Sequence, residues 1–129
     1  MSYFKGLQVL GDLAIDYILF KVDFPVLFTC ENKNNKLYLC LCCDIRKEQR
    51  WIITGTTTDV IIQLLSNKLT IQDAFLNSGS NIFTITKQLK TEDYIVEDSY
   101  DILDLPTMKE YIDADSDDLE SYILTLSTE

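Results

Sequence analysis

The chain has 129 residues, 47% of them hydrophobic, with 11 Lys or Arg against 21 Asp or Glu, no His, and a formal net charge of −10 at pH 7. That length suffices for one domain with its own core and no need of disulfides or metals, and no uninterrupted apolar run of about eighteen residues supports a membrane-spanning helix. The charge argues against nucleic acid, whose phosphates need clustered Lys and Arg, and against an anionic membrane surface.

Residues 1–20 (MSYFKGLQVLGDLAIDYILF) are apolar enough to suggest a secretory leader. Asp12 and Asp16 interrupt the run, Lys5 is its only base, and no small-residue cleavage pattern follows, so ordinary core-forming segments are expected. Residues 24–30 (FPVLFTC) predict a strand with Pro25 at its first position, where a missing amide is tolerated. After the polar turn ENKNNK, residues 37–44 (LYLCLCCD) are almost continuously apolar, the mark of a strand covered on both faces. A charged turn over 45–50 and the run WIIT at 51–54 complete an antiparallel meander over 24–54.

Beyond Gly55 the apolar period lengthens. Val60, Ile61, Leu64 and Leu65 predict a helix over 58–67 with one buried face. Thr70, with Asp73 three residues on, caps a second short helix over 70–77. Residues 77–80 form a loop, and residues 82–86 (IFTIT) and 94–96 are later strands. The loop around Ser99 to Thr107 is the one expected soft point. At the C-terminal end, Leu119, Tyr122, Ile123 and Leu126 fit a helical stripe, while Tyr122, Leu124 and Leu126 alternate as a strand; β-branched and aromatic content over 122–128 favours the strand. The expected fold class is α+β: a single domain over 1–129, built on an antiparallel β-sheet with one or two short helices.

The four cysteines are Cys30, Cys40, Cys42 and Cys43. On a strand, Cys40 and Cys42 share a face while Cys43 points away. Zinc asks for a Cys-x2-Cys hook and a second ligand pair, and the chain offers neither that pair nor a histidine. Buried reduced thiols are expected instead, with no metal and no cofactor, in a reducing compartment and hence a cytoplasmic location.

The charge is unevenly spread. Residues 1–90 hold eight acids and ten bases, whereas residues 91–129 hold thirteen acids and the single base Lys109. Tyr94, Ile95, Val96, Ile102, Leu103, Leu105, Tyr111 and Ile112 are interleaved with those acids, a composition that a disordered acidic tail lacks. The 91–129 segment is therefore expected to fold onto the body with its carboxylates outward. Candidate partner-binding residues are Glu92, Asp93, Glu97, Asp98, Asp101, Asp104, Asp113, Asp115, Asp117, Asp118 and Glu120. Tyr3, Tyr17, Tyr94, Tyr100, Tyr111 and Tyr122 are interface candidates by residue type, set against the commoner role of packing.

Other constellations fail on register. The run from Asp113 begins like a calcium loop, but Asp118 stands where the turn glycine belongs and Leu124 where the bidentate Glu belongs. Nucleophilic catalysis lacks its commonest base, and Gly6, Gly11, Gly55 and Gly79 form no phosphate-binding pattern. An enzyme is not expected.

Phe24, Pro25, Leu27, Phe28, Asp44, Trp51, Leu64, Leu65, Asp73, Ala74 and Phe75 give residues 20–76 a Phe-Pro strand, a strand ending in Asp, a strand opening with Trp and an Asp-Ala-Phe helix. This pattern resembles a family of small bacterial domains of unknown function. The resemblance implies a fold and no catalytic residue, and the Cys-rich second strand and acidic C-terminal part depart from it. Composition and charge partition together point to a non-enzymatic protein-binding module, bacterial or phage, whose acidic face binds and neutralises a basic, nuclease-type or nucleic-acid-binding protein. The alternative is an accessory domain that binds through an apolar patch or by self-association.

Overall fold

The computed structural model describes residues 2–21, 24–45, 48–88, 90 and 93–105. Among these, seven strands form one sheet in strict chain order: β1 (Phe4–Leu7), β2 (Gly11–Lys21), β3 (Pro25–Glu31), β4 (Leu37–Asp44), β5 (Gln49–Gly55), β6 (Ile82–Lys87) and β7 (Tyr94–Glu97). Every neighbouring pair is antiparallel. Two short helices, α1 (Thr58–Leu65) and α2 (Ile71–Leu76), lie between β5 and β6. The architecture is a sheet-dominated α+β fold, and the sheet curls until it is nearly a barrel.

Side-chain alternation explains that shape. Along β4, Leu37, Leu39, Leu41 and Cys43 face the helices, while Tyr38, Cys40 and Cys42 face the opposite side. The doubly covered strand expected from LYLCLCCD is therefore present, and Cys43 points away from Cys40 and Cys42 as the strand period requires. On the helix side, Leu27, Leu39, Leu41 and Ile52 pack beneath Ile61, Leu64, Leu65, Ala74 and Phe75. Both helices are capped by threonine: Thr57 Oγ1 accepts from the Val60 amide at 3.3 Å, and Thr70 Oγ1 from the Asp73 amide at 3.1 Å. Each satisfies an amide that the first helical turn leaves without a carbonyl partner.

The other face curls around aromatic rings. Phe4 of β1 stands 5.0 Å from Trp51 of β5 and 5.8 Å from Tyr94 of β7, both edge-on, and stacks on Phe28 of β3 at 6.3 Å. One side chain from the first strand thus meets three others across the sheet, a contact a flat sheet forbids. Edge-to-face pairs at such separations add stabilisation beyond the area they bury.

The N-terminal region supplies β1 and β2, which the sequence marked only as core-forming. β2 breaks register with β3 between Ile15 and Tyr17 and again around Phe20. Thr29, fully buried on β3, spans the first irregularity: its hydroxyl accepts from the Tyr17 amide at 3.1 Å and donates to Asp16 Oδ2 at 3.0 Å. The acid that seemed to interrupt an apolar run is a partner of the bulge. Both helices are shorter than expected, while the late strands extend to Lys87 and Glu97. No helix among the described residues is long and apolar enough to cross a membrane.

Candidate functional site

Of the candidate acids, Asp93, Glu97, Asp98, Asp101 and Asp104 lie in the described residues. Glu92, Asp113, Asp115, Asp117, Asp118 and Glu120 lie outside them, as do Tyr111, Tyr122, the calcium-like run and the alternatives for 122–128.

After β7 the chain turns back across the end of the sheet. The Thr84 hydroxyl of β6 donates to the Ser99 carbonyl at 2.6 Å. Asp101 then caps a single 3-10 turn over Ile102–Asp104, its carboxylate accepting from the Leu103 amide at 3.0 Å. Asp104 receives the Arg50 guanidinium in a two-pronged bond, Nε to Oδ2 at 3.1 Å and Nη2 to Oδ1 at 2.9 Å. Leu105 closes the segment by entering the core beside the helices. The expected soft point is thus fastened over Ser99–Leu105, because a hydroxyl, a guanidinium and a buried leucine each hold it to the body.

Between this segment and the ends of β5 to β7 lies an open hollow of about 800 Å³, lined by Arg50, Thr84, Glu97, Ser99, Tyr100, Asp101, Ile102 and Asp104. Three of the candidate carboxylates, Glu97, Asp101 and Asp104, converge there. Asp98 is exposed beside them, and Asp93 stands at the opposite end of β7. Arg50 also lies 3.8 Å from Asp44 and 3.6 Å from Glu48, so a single guanidinium balances several carboxylates and the rim stays negative. The hydrogen bonds to Asp104 push the pKa of the Arg50 guanidinium higher still. On the hollow's lining, Ile102 is 48% exposed and Tyr100 partly open to solvent, and the chain neighbour Leu103 is 86% exposed.

Arg50, Thr84 and Ser99 were not legible as site residues. Arg50 reads as the end of the charged turn over 45–50 but lies on β5, and no local signal joins it to a carboxylate 54 positions away. Among the tyrosine candidates, Tyr3 and Tyr94 belong to the inner aromatic cluster and Tyr17 packs against the helix-side core. Among the described tyrosines, only Tyr100 lines the hollow.

The four thiols are free, and Cys42 and Cys43 are half-buried. Cys30 and Cys40 are buried. Burial, and then the adjacent Cys30, hold the Cys40 thiol well above its ordinary pKa. Cys43 donates to the Arg50 carbonyl at 3.3 Å; burial and the nearby Asp104 carboxylate, against the opposing pull of Arg50, push it up to about 12. Burial likewise raises Cys42. All three are therefore neutral near pH 7, where a thiolate is the form that attacks or binds metal. Among the described residues no three Cys, Asp or Glu side chains gather closely enough to hold a metal ion.

No family model, curated protein or solved structure matches this chain.

Proposed function

We propose that the chain is a non-enzymatic binding module whose acidic hollow engages a basic surface of a partner protein, of the kind that nucleases and nucleic-acid-binding proteins present. The observation that carries this reading is the convergence of Glu97, Asp101 and Asp104 on one hollow, with Asp98 at its margin. Carboxylates grouped in a depression concentrate negative potential and attract Lys and Arg that would otherwise contact phosphates. The protonated thiols of Cys40, Cys42 and Cys43 and the lack of any histidine favour binding over catalysis. A bacterial or phage setting rests on the resemblance across residues 20–76 and is part of the same proposal.

The test is binding of purified basic nucleases to the immobilised chain at about 0.02 M and about 0.2 M salt, where Debye screening differs severalfold. Binding should weaken sharply with salt, and E97Q/D98N/D101N should remove most of it while leaving the thermal transition in place. Equal binding by that triple variant ends the electrostatic reading.

A second reading draws on Ile102, which lines the hollow, and its chain neighbour Leu103, both large apolar side chains exposed to solvent. An accessory domain docking through them would lose its partner, or its self-association, with L103S and ignore both salt and the triple variant.

A further inference from the structure

We propose that the mouth at one end of the curled sheet binds a small aromatic carboxylate, at a site that shares no residue with the acidic hollow and is independent of the function proposed above. Antiparallel chain order brings to this end the β1–β2 turn, the start of β4, the end of β5 and the loop that enters β6. Between them lies a depression of about 450 Å³, a size that suits a small ligand, and barrel mouths are a common place for such sites. Val9, Leu10 and Phe83 form its apolar wall, and Lys36, Ser80 and Asn81 its polar one. Among the described residues that line it there is one cation and no carboxylate, the reverse of the charge around Arg50.

The polar wall is held in place before any ligand arrives. Lys36 Nζ stands 5.2 Å from the Tyr38 ring centroid, a cation–π contact, and among the described residues no carboxylate lies within ion-pairing distance of it. Thr54 of β5 donates to the Asn81 carbonyl at 2.9 Å and meets Ser78 Oγ at 2.9 Å, and Ser78 Oγ accepts from the Ser80 amide at 3.2 Å, so the loop is tied to the strand. Gly55 lets that loop close in: a Cβ there would stand 2.9 Å from Ser80 Oγ and 3.6 Å from Lys36 Cε. The apolar wall lacks the cover that would offset its exposure. Val9 holds a φ of 69° while 88% exposed, and strain kept at such a residue points to a role in binding. A planar ring against Val9, Leu10 and Phe83 would bury that surface. Its carboxylate would then meet the Lys36 ammonium, with the Ser80 hydroxyl and the Asn81 amide as further donors. One ammonium balances one negative charge, which favours a carboxylate over a doubly charged phosphate.

The probe is 2-naphthoate, titrated into the full chain at low salt and followed by amide NMR, beside its uncharged counterpart 2-naphthamide. Naphthoate should give saturable shifts at Lys36, Gly55, Ser80 and Phe83, with a Kd at or below about 1 mM. K36M should weaken its binding by about fivefold, the worth of one partly exposed ion pair, and naphthamide should bind the unchanged chain more weakly by a similar factor. K68M, which removes an exposed lysine outside the lining, should leave naphthoate binding as it was. An absence of saturable shifts, or shifts centred away from these amides, overturns the site. Equal binding of the acid and the amide, or an equal loss with K36M and K68M, overturns the assignment of Lys36 as the group that recognises a carboxylate. None of these outcomes bears on the acidic hollow, whose own test is the nuclease panel.

Discussion

The curled body and the acidic segment that follows β7 are held by different physics. In the body, apolar side chains alternate onto two buried clusters, so the central strands β2 to β5 are fixed from both faces. Over Ser99–Leu105, three specific fastenings do that work: the Thr84 hydroxyl, the Arg50 guanidinium and the side chain of Leu105. A region fixed by area resists local change, whereas a region fixed by a few polar bonds can yield without unfolding the rest. The candidate site lies in the second kind.

The largest test of that contrast is in the body. Phe75, fully buried beneath β3 to β5 with Leu64 and Leu65, leaves a large void when shortened. F75A should cost about 3–5 kcal/mol, seen as a lower denaturant midpoint with all probes moving together. If only the helices lose structure and the sheet transition stays put, the two clusters are less coupled than the shared strands imply.

A second large effect is set by pH. Tyr3 is pushed up to about 12, by burial first and then by Cys42 and the other neighbours; Cys43 is pushed up to about 12, and Cys40 is also raised. Each group is favoured in its neutral form in the folded state, so the unfolded chain releases protons first as the pH climbs. Stability present below about pH 9 should therefore fall progressively toward about pH 12, read as a declining urea midpoint. Replacing Cys43 with Ala should flatten part of that decline, and an undiminished slope would remove this thiol from the account.

The segment itself is tested by Arg50. R50M keeps the aliphatic stem but abandons Asp104, at a cost of about 1–2 kcal/mol once partial exposure is discounted. Amide exchange at Asp104 and Leu105 should rise far more than exchange within β3 or β4. R50K should recover little of the loss, because an ammonium cannot match the forked contact with the carboxylate. Uniform acceleration across the sheet would mean that the segment is not separately fastened.

These same elements show what could be read from the sequence. β4 was legible because both its faces are covered, which leaves a nearly continuous apolar run, and α2 because Thr70 and Asp73, three positions apart, carry its cap. β2 was not, because its register irregularities shift side chains between faces and erase the two-residue period. At the site, the concentration of acid after residue 90 was plain, but its geometry was not. Glu97, Asp101 and Asp104 meet because β7 ends where it does and because Arg50, far away in sequence, draws Asp104 inward. Asp93 follows a different course at the far end of the same strand, although it belongs to the same run of acids.

The smallest expected effect concerns the turn between β1 and β2, where the body departs from its own economy. Val9 has a φ of 69° and is 88% exposed, so a β-branched side chain sits in the left-handed region without burial to offset the strain. Gly11 beside it, at a φ of 73°, bears the same conformation without a Cβ. V9G should therefore stabilise the protein by about 0.5–1 kcal/mol, the steric relief exceeding the added freedom of the unfolded chain. A small upward shift of the thermal midpoint would confirm that the strain is real. A loss would mean that Val9 makes contacts worth more than its strain, and would move the boundary between well-fixed body and exposed periphery to include this turn.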